Sequence, residues 1–449
     1  MNKHCVFSKT PVLFQLGVLC LALLLALPCT AAERITLPEA VARALSGNPA
    51  IHAAQADKEA AEAGRKSARG SFGPSLSSSY GYSRSKRSSE PSSLADNSPE
   101  GGTFSWNISV NQDIFTGFNL LSSYQKAALQ AESKELALSL ARLQLVEQVQ
   151  GTFFAYLQAL ENVRSERDAL KRLSSQLDIT RAFFEVGLRP HLDVLQAEVD
   201  VSRAESLLIT SEHTRETQKA LLNTLLGLSV TADTEYVGAL TGTPFKFGLD
   251  NCLERAYRQR PDLGIAAKAV SIADKDVKIV QSQYYPQISA FYNLTNSGDN
   301  LGLQHVHQDG GRSTQWEVGL VGNWKLFEWG KTYYADQQMR SLASKVRAEE
   351  AKLKLEAGFD VKSRLLAVTD AQKRITVALK GLEQAQEAYN QAQARYQAQV
   401  GTNFDVLDAS AKLTVAEAAL TGARADYLTA LSALYVAMGE LQPNLEQGK

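Results

Sequence analysis

Apolar positions along this chain switch between two spacings, and the switch falls at the same place in two halves. From Pro38 to about Arg69 apolar residues recur every three or four positions, with an interruption at Asn48-Pro49. Pro74 ends that stretch, because proline cannot continue a helix and drives its predecessor towards extended geometry. Beyond it the spacing becomes two. Leu76, Ser78, Tyr80 and Tyr82 fall on one side, and Ser75, Ser77, Ser79 and Gly81 on the other. A Ser-rich segment at 83–102 leads to a second alternating run, where Phe104, Trp106, Ile108 and Val110 oppose Ser105, Asn107, Ser109 and Asn111. The pattern predicts a hairpin of strands about ten residues long, apolar and aromatic on one face only. The helical spacing then returns through Leu136, Leu140, Leu143, Val146, Phe153, Leu157, Leu160, Val163, Leu170, Leu173 and Leu177, with no proline from Phe118 to Arg189. That is a coiled-coil-like seam. At 1.5 Å per residue about 70 residues span roughly 105 Å, too long for a compact domain. A break at Gly187-Leu188-Arg189-Pro190 precedes a return helix from about Leu192 to Leu226, stopped by Gly227.

The whole order recurs at an offset of 212 residues. Leu37 pairs with Leu249, Pro49 with Pro261, Phe72 with Tyr284, Pro74 with Pro286, Tyr80 with Tyr292 and Gly227 with Gly439. Ile114-Phe115 matches Leu326-Phe327, and Asp193-Val194-Leu195 recurs as Asp405-Val406-Leu407. In the second copy Ile288, Ala290, Tyr292 and Leu294 oppose Gln287, Ser289, Phe291 and Asn293; Trp316, Val318, Leu320 and Trp324 oppose Gln315, Glu317, Gly319 and Asn323. A repeat this long is one supersecondary module used twice. It divides the chain into a leader at 1–32, a first repeat at 33–240, a second at 241–442 and a tail at 443–449. The strand hairpins are expected at about 75–115 and 287–326, and the long helical hairpins at about 119–227 and 331–439. Matching Val186-Gly187 to Val400-Gly401 raises the offset locally to 214, so the second turn is expected to be two residues shorter.

The leader has Lys3 and Lys9 ahead of an apolar run from Val12 to Leu27, then Thr30-Ala31-Ala32, the form of a cleavable export signal. The run of about 16 residues is short for a membrane span of about 20. Cys29 follows Pro28 where a lipidation signal needs a small residue. Three of the four cysteines lie in the leader, so the exported chain keeps only Cys252, which reads as a small buried hydrophobe, and has no disulfide. With 47 basic and 48 acidic residues and no basic stripe, nucleic acid is excluded as a partner.

Four strands with one apolar face pose a physical problem. In water that face aggregates. In a bilayer it meets lipid, while the Ser/Asn/Gln face lines a wet lumen; strands that span lipid must close so that no edge stays unpaired. Four strands cannot close around a lumen, so sister copies supply the rest, and three chains give twelve strands. The competing reading is a soluble β-sandwich, for which a Ser and Asn face makes a poor core.

At this point the residues carry a resemblance. Leu37-x-x-Ala40-x-x-x-Ala44 with Asn48-Pro49, the Pro74 and Pro286 helix-to-strand junctions, Ile114-Phe115 and Leu326-Phe327 before the long helices, and Val-Gly followed by Asp-Val-Leu occur in order, twice. The chain resembles the TolC-like outer-membrane factors over about Leu37 to Met438. The resemblance implies a mostly α protein with a membrane β part. Its homotrimer would form a twelve-stranded β-barrel in the Gram-negative outer membrane, continued by a long coiled-coil α-helical barrel through the periplasm. It implies passive conduction from an inner-membrane transporter of the ABC or RND type, through a periplasmic adaptor protein, to the exterior, with no cofactor and no catalysis. The family's adaptor-docking turn transfers to Val186, Gly187 and Leu188 and to Val400, Gly401 and Thr402; the alternative is simply a tight turn. Its acidic pore constriction transfers to Asp405 and Asp408, with Asp193 as the first-half counterpart. A carboxylate ring would favour cations, while the alternative is an aspartate complementing a helix dipole. The basic and tyrosine residues that link gate helices in the family are absent at the matching positions, where Ala398 and Asn403 stand, so the lock is expected to differ or be weak.

Gly330-Lys331-Thr332 mimics the end of a phosphate-binding loop, but Lys325 occupies the required upstream glycine. His305 and His307 lack a third metal ligand, and no metal site is expected. Two rivals remain at this stage, a periplasmic adaptor and a structural coiled coil. The first lacks a reason for the double copy, the second for the aromatic-faced strands. The cargo, whether drug, metal or secreted protein, is not readable, although the missing lipidation signal leans towards type I secretion members.

Overall fold

The computed structural model of the chain describes residues 33–84, 102–303 and 313–442. The leader, the tail and both external-loop histidines lie outside the described residues.

Each half begins with two helices meeting at a proline. In the first half these are α1 (Leu37–Gly47) and α2 (Pro49–Gly70); in the second, α5 (Leu249–Gln259) and α6 (Pro261–Gln281). Thr36 and Glu39 form a capping box on α1. The residue before each proline does a second job. Asn48 accepts the Ala50 N–H at 2.8 Å and donates its amide to the Leu225 carbonyl at 2.8 Å. Its repeat partner Arg260 donates to the Ala437 carbonyl at 3.3 Å and to Asp360 at 2.9 Å. Both side chains therefore satisfy a last-turn carbonyl of the returning long helix, a group with no partner inside that helix.

Pro74 and Pro286 stand between helix and strand. Strands β2 (Ser75–Arg84), β3 (Gly102–Phe115), β5 (Gln287–Gly298) and β6 (Ser313–Asn323) form one antiparallel sheet in the order β2-β3-β5-β6. The register carries the alternation across all four strands. Leu76, Val110, Tyr292 and Val318 make one row, and Ser78, Ile108, Leu294 and Trp316 another. On the opposite face Ser77, Ser109, Asn293 and Glu317 align. A bulge between Asp113 and Phe115 closes β3. Within the chain β2 and β6 each keep one unpaired edge.

The long helices are α3 (Asn119–Glu185) and α7 (Lys331–Gln397), 67 residues each, and their return helices α4 (His191–Leu225) and α8 (Asn403–Ala437), 35 residues each. Each long helix is thus about 100 Å long. In the half nearer the sheet α2, α3, α6 and α7 lie side by side; in the half nearer the turns the order is α4, α3, α8, α7. The main core sits where the two sets meet. Phe153 and Phe154 of α3 pack there with Leu222, Tyr236, Leu428, Leu434 and Met438. The inter-repeat linker contributes β4 (Thr234–Tyr236), which pairs in parallel with β1 (Glu33–Ile35). The sequence pattern did not reveal this pair: three residues are too few to show an alternation. Buried Tyr236 donates to Asn223 Oδ1 at 2.7 Å, fixing the linker on the helices.

Candidate functional site: the helical turns and the strand face

Two turns close the long hairpins, 186–190 and 398–402, and both are five residues long. The expected two-residue shortening is absent, and the physical reason lies in the helix ends. Gly187 N–H donates to Phe184 O and Leu188 N–H to Phe183 O; 212 residues on, Gln399 N–H donates to Tyr396 O and Val400 N–H to Arg395 O. These are the same Schellman-type C-terminus. Its left-handed position holds Gly187 at φ 74° and Gln399 at φ 62°. Gln399, not Gly401, is therefore the counterpart of Gly187. The repeated Val-Gly letters match in composition but not in backbone position.

The residues singled out for adaptor docking occupy these turns. Val186, Leu188 and Val400 are exposed at 68%, 51% and 68%. Gly187 and Thr402 are exposed as well, whereas Gly401 is buried. Thr402 caps α8 in a capping box with Asp405, whose carboxylate accepts the Thr402 N–H at 2.9 Å and its hydroxyl at 2.7 Å. Those bonds, the backbone one foremost, hold the Asp405 carboxyl below the usual aspartate range. Asp408 forms an ion pair with Lys412 at 2.7 Å. Asp193 sits in the first turn of α4, and its carbonyl accepts the Asn403 amide at 3.1 Å.

Asn403 opens a link between the two hairpins that sequence reasoning missed. It is 1% exposed, and its Oδ1 accepts the Gln176 amide at 2.9 Å. Thr180 Oγ1 lies 3.2 Å from Tyr396 Oη and donates to Gln176 O at 2.8 Å. Arg189 spans the turns, donating to Gly401 O at 2.6 Å with its guanidinium 5.0 Å from the Tyr396 ring centroid. A basic residue and a tyrosine therefore do tie α3, α4, α7 and α8 together at the turns. They come from Arg189 and Tyr396 rather than from the positions where the sequence comparison looked for them. Their only sequence signal was polar residues interrupting the apolar seam at Gln176 and Thr180.

With this geometry in hand, comparison with known proteins is decisive. The family model described as "Outer membrane efflux protein" matches residues 40–228 and again 252–440. The chain belongs to the outer membrane efflux protein family. Outer membrane protein TolC of Vibrio cholerae is 25% identical over 422 residues, covering 90% of this chain and 91% of that protein. The probable efflux pump outer membrane protein TtgC of Pseudomonas putida is 23% identical over 414 residues, covering 90% and 82%. The crystal structure of the CmeC outer membrane channel of Campylobacter jejuni superposes with a TM-score of 0.80 at 18% identity, covering 92% of this chain and 87% of that one. This outer membrane efflux protein is accordingly an exit channel of the Gram-negative outer membrane that extends into the periplasm. Its family is one of channels rather than enzymes. Among the described residues no group of three or more His, Cys, Asp or Glu side chains could hold a metal, and Cys252 is buried, its thiol pushed up by burial.

Proposed function

We propose that three copies of this efflux protein close a twelve-stranded barrel and a continuous helical tunnel, through which cargo passes passively from an inner-membrane transporter and a periplasmic adaptor. One observation carries the reading: a four-stranded sheet with two unpaired edges and an apolar face that nothing in the chain covers, half-buried on the central strands and exposed on the edge strands. Leu76, Trp316, Val318 and Leu320 are 74%, 67%, 65% and 69% exposed in the isolated chain. An edge left open in lipid leaves each backbone group unsatisfied at a cost of several kcal/mol, so β2 of one copy pairs with β6 of the next. The outer helices repeat the logic. α4 presents Leu195, Val199 and Ile209 to solvent, and α7 presents Leu355, Phe359 and Leu366.

The exposed turn residues Val186, Gly187, Leu188, Val400 and Thr402 form the adaptor-facing end, with Gly401 set behind them as the acceptor for Arg189. Asp405, Asp408 and Asp193 surround the axis there. Because Asp405 also caps α8 and Asp408 is paired with Lys412, the charge they present is smaller than three free carboxylates per chain. Relatives carry names for toluene, antibiotic, pyoverdine and toxin export. The lumen of this chain is correspondingly generic, and the transporter selects the cargo.

Purified protein in detergent tests the assembly and planar bilayers test conduction. A native mass of three chains and stepwise single-channel currents are expected; a monomer that inserts no channel would end the proposal. Replacing Asp405 and Asp408 with Asn is expected to reduce cation selectivity, and an unchanged reversal potential would remove these aspartates from the filter.

A further inference from the structure

We propose that Glu317, on the polar face of β6, sets the charge preference of the membrane portion of the duct, independently of the aspartates at the turns. The inference rests on the trimeric-barrel reading. The strand register gives the polar face position by position. On β2 it carries Ser75, Ser77, Ser79, Gly81 and Ser83; on β3, Thr103, Ser105, Asn107, Ser109, Asn111 and Asp113. On β5 and β6 the same face carries neutral polar or small residues apart from Phe291, Val321 and Glu317.

Two facts follow from that inventory. First, the charges on the lumen-facing positions of the described strands are Asp113 and Glu317, both acidic, and none of those positions carries a lysine or arginine. Lys325, two residues beyond the end of β6, is taken up by Glu328 at 3.4 Å. Second, Glu317 lies one ladder step from the single aromatic side chain on that face. Glu317 aligns with Asn293, and Phe291 aligns with Gly319, against which its ring lies so closely that a Cβ there would come within 2.9 Å of it. Diagonal neighbours of this kind stand about 7–8 Å apart. An apolar ring beside a carboxylate removes polarisable water from one side of it and strengthens its field in the lumen.

Trimerisation sets three Glu317 side chains at one height. They stand about six residues, or roughly 20 Å of strand, from the helical end. Asp113 forms a second, lower level beside Ser289. A ring of carboxylates on a low-dielectric wall raises the local concentration of cations and depresses that of anions. The repeat asymmetry makes the assignment specific, because the position equivalent to Glu317 in the first half is the neutral Ser105.

The test uses the full-length trimer in planar bilayers under a KCl gradient at low ionic strength, where screening is weak. Glu317→Gln is expected to lower the K⁺/Cl⁻ permeability ratio about two- to threefold, and Glu317→Lys to bring it to one or below. Ser105→Gln, on the same face, is expected to leave it unchanged. Glu317→Gln combined with Asp405→Asn and Asp408→Asn is expected to give multiplicative losses, since the two levels are a helix length apart. Channels that open normally while Glu317→Gln keeps the wild-type reversal potential would overturn the inference and leave the duct reading standing. Wild-type protein that forms no channel would overturn both.

Discussion

Gly227 and Gly439 follow the two return helices at φ 72° and 79°, with their backbones pressed against the α1–α2 and α5–α6 junctions. A Cβ on Gly227 would come within 2.5 Å of Gly47 O, and one on Gly439 within 2.7 Å of Gln259 C. Left-handed geometry costs an L-residue about 1–2 kcal/mol, and the contact adds to it, so Gly227→Ala or Gly439→Ala should cost about 2–3 kcal/mol in denaturant unfolding. Gln399 presents the converse. It holds the same conformation at φ 62° with a side chain. Gln399→Gly should therefore leave the turn intact and raise stability by up to about 1 kcal/mol; a loss would mean that the Gln399 side chain has an unrecognised role. Both terminal glycines were legible in the sequence because glycine marks this position. Gln399 was not, since only the backbone shows that it shares the conformation of Gly187. Asp405 supplies the pH-sensitive counterpart. Its folded pKa lies below the unfolded value, so its capping contribution is complete above about pH 4 and drains away as pH falls through the lowered value. Amide exchange should show the first turn of α8 fraying under acid, and Asp405→Asn should abolish that pH dependence. The first turn of α4, capped by Pro190 without a side-chain bond, provides the internal control.

Strand alternation and proline stops made the helices and the sheet readable because each is a local signal repeated over many residues. The link at the turns is the opposite case. Gln176, Thr180, Tyr396 and Asn403 are separated by up to 227 residues and touch only after both hairpins have formed. Nothing local marks them as partners. All four are buried, and such a network is stabilising only while every member is satisfied. Asn403→Ala removes the acceptor that Gln176 meets at 2.9 Å, leaving its buried amide only the longer 3.4 Å bond to Thr180, and removes the side-chain donor that ties α8 to Asp193 O. A cost of about 1–3 kcal/mol, confined to the turn end, is the expected result. Hydrogen exchange should accelerate around residues 186–195 and 398–408 while the Phe153–Tyr236 core stays protected. Uniform loosening of the whole chain would show that the network stabilises the bundle generally rather than the turns.

At the scale of the proposed assembly, four one-sided strands argue for sister copies, but the sequence does not say which helical faces would meet. The apolar spacing of α7, through Ile375, Leu379, Leu382, Ala385, Tyr389, Ala392 and Tyr396, marks a seam but does not say which apolar residues pack within the chain and which face outwards. In the structure Leu355 and Phe359 are 77% and 75% exposed, one turn apart on α7. They lie level with the α5–α6 junction, beside Tyr257 and Arg260, where the other edge of the chain is formed by the α1–α2 pair. Burying a leucine or phenylalanine side chain contributes about 1.5–3 kcal/mol, and the proposed trimer would repeat the gain at three interfaces. Replacing Leu355 and Phe359 together with Asp reverses it by placing carboxylates in a seam that excludes water. Because neither side chain is buried within one chain, the helical circular-dichroism signal of the protomer should be retained while native mass spectrometry in detergent shifts from three chains to one. Lys352→Ala and Glu356→Ala, changing exposed ion-paired neighbours on the same helix, should leave the trimer mass unaltered. A double-Asp variant that remained trimeric would place the seam away from this face of α7, and would leave the β2–β6 edges alone to hold the copies together.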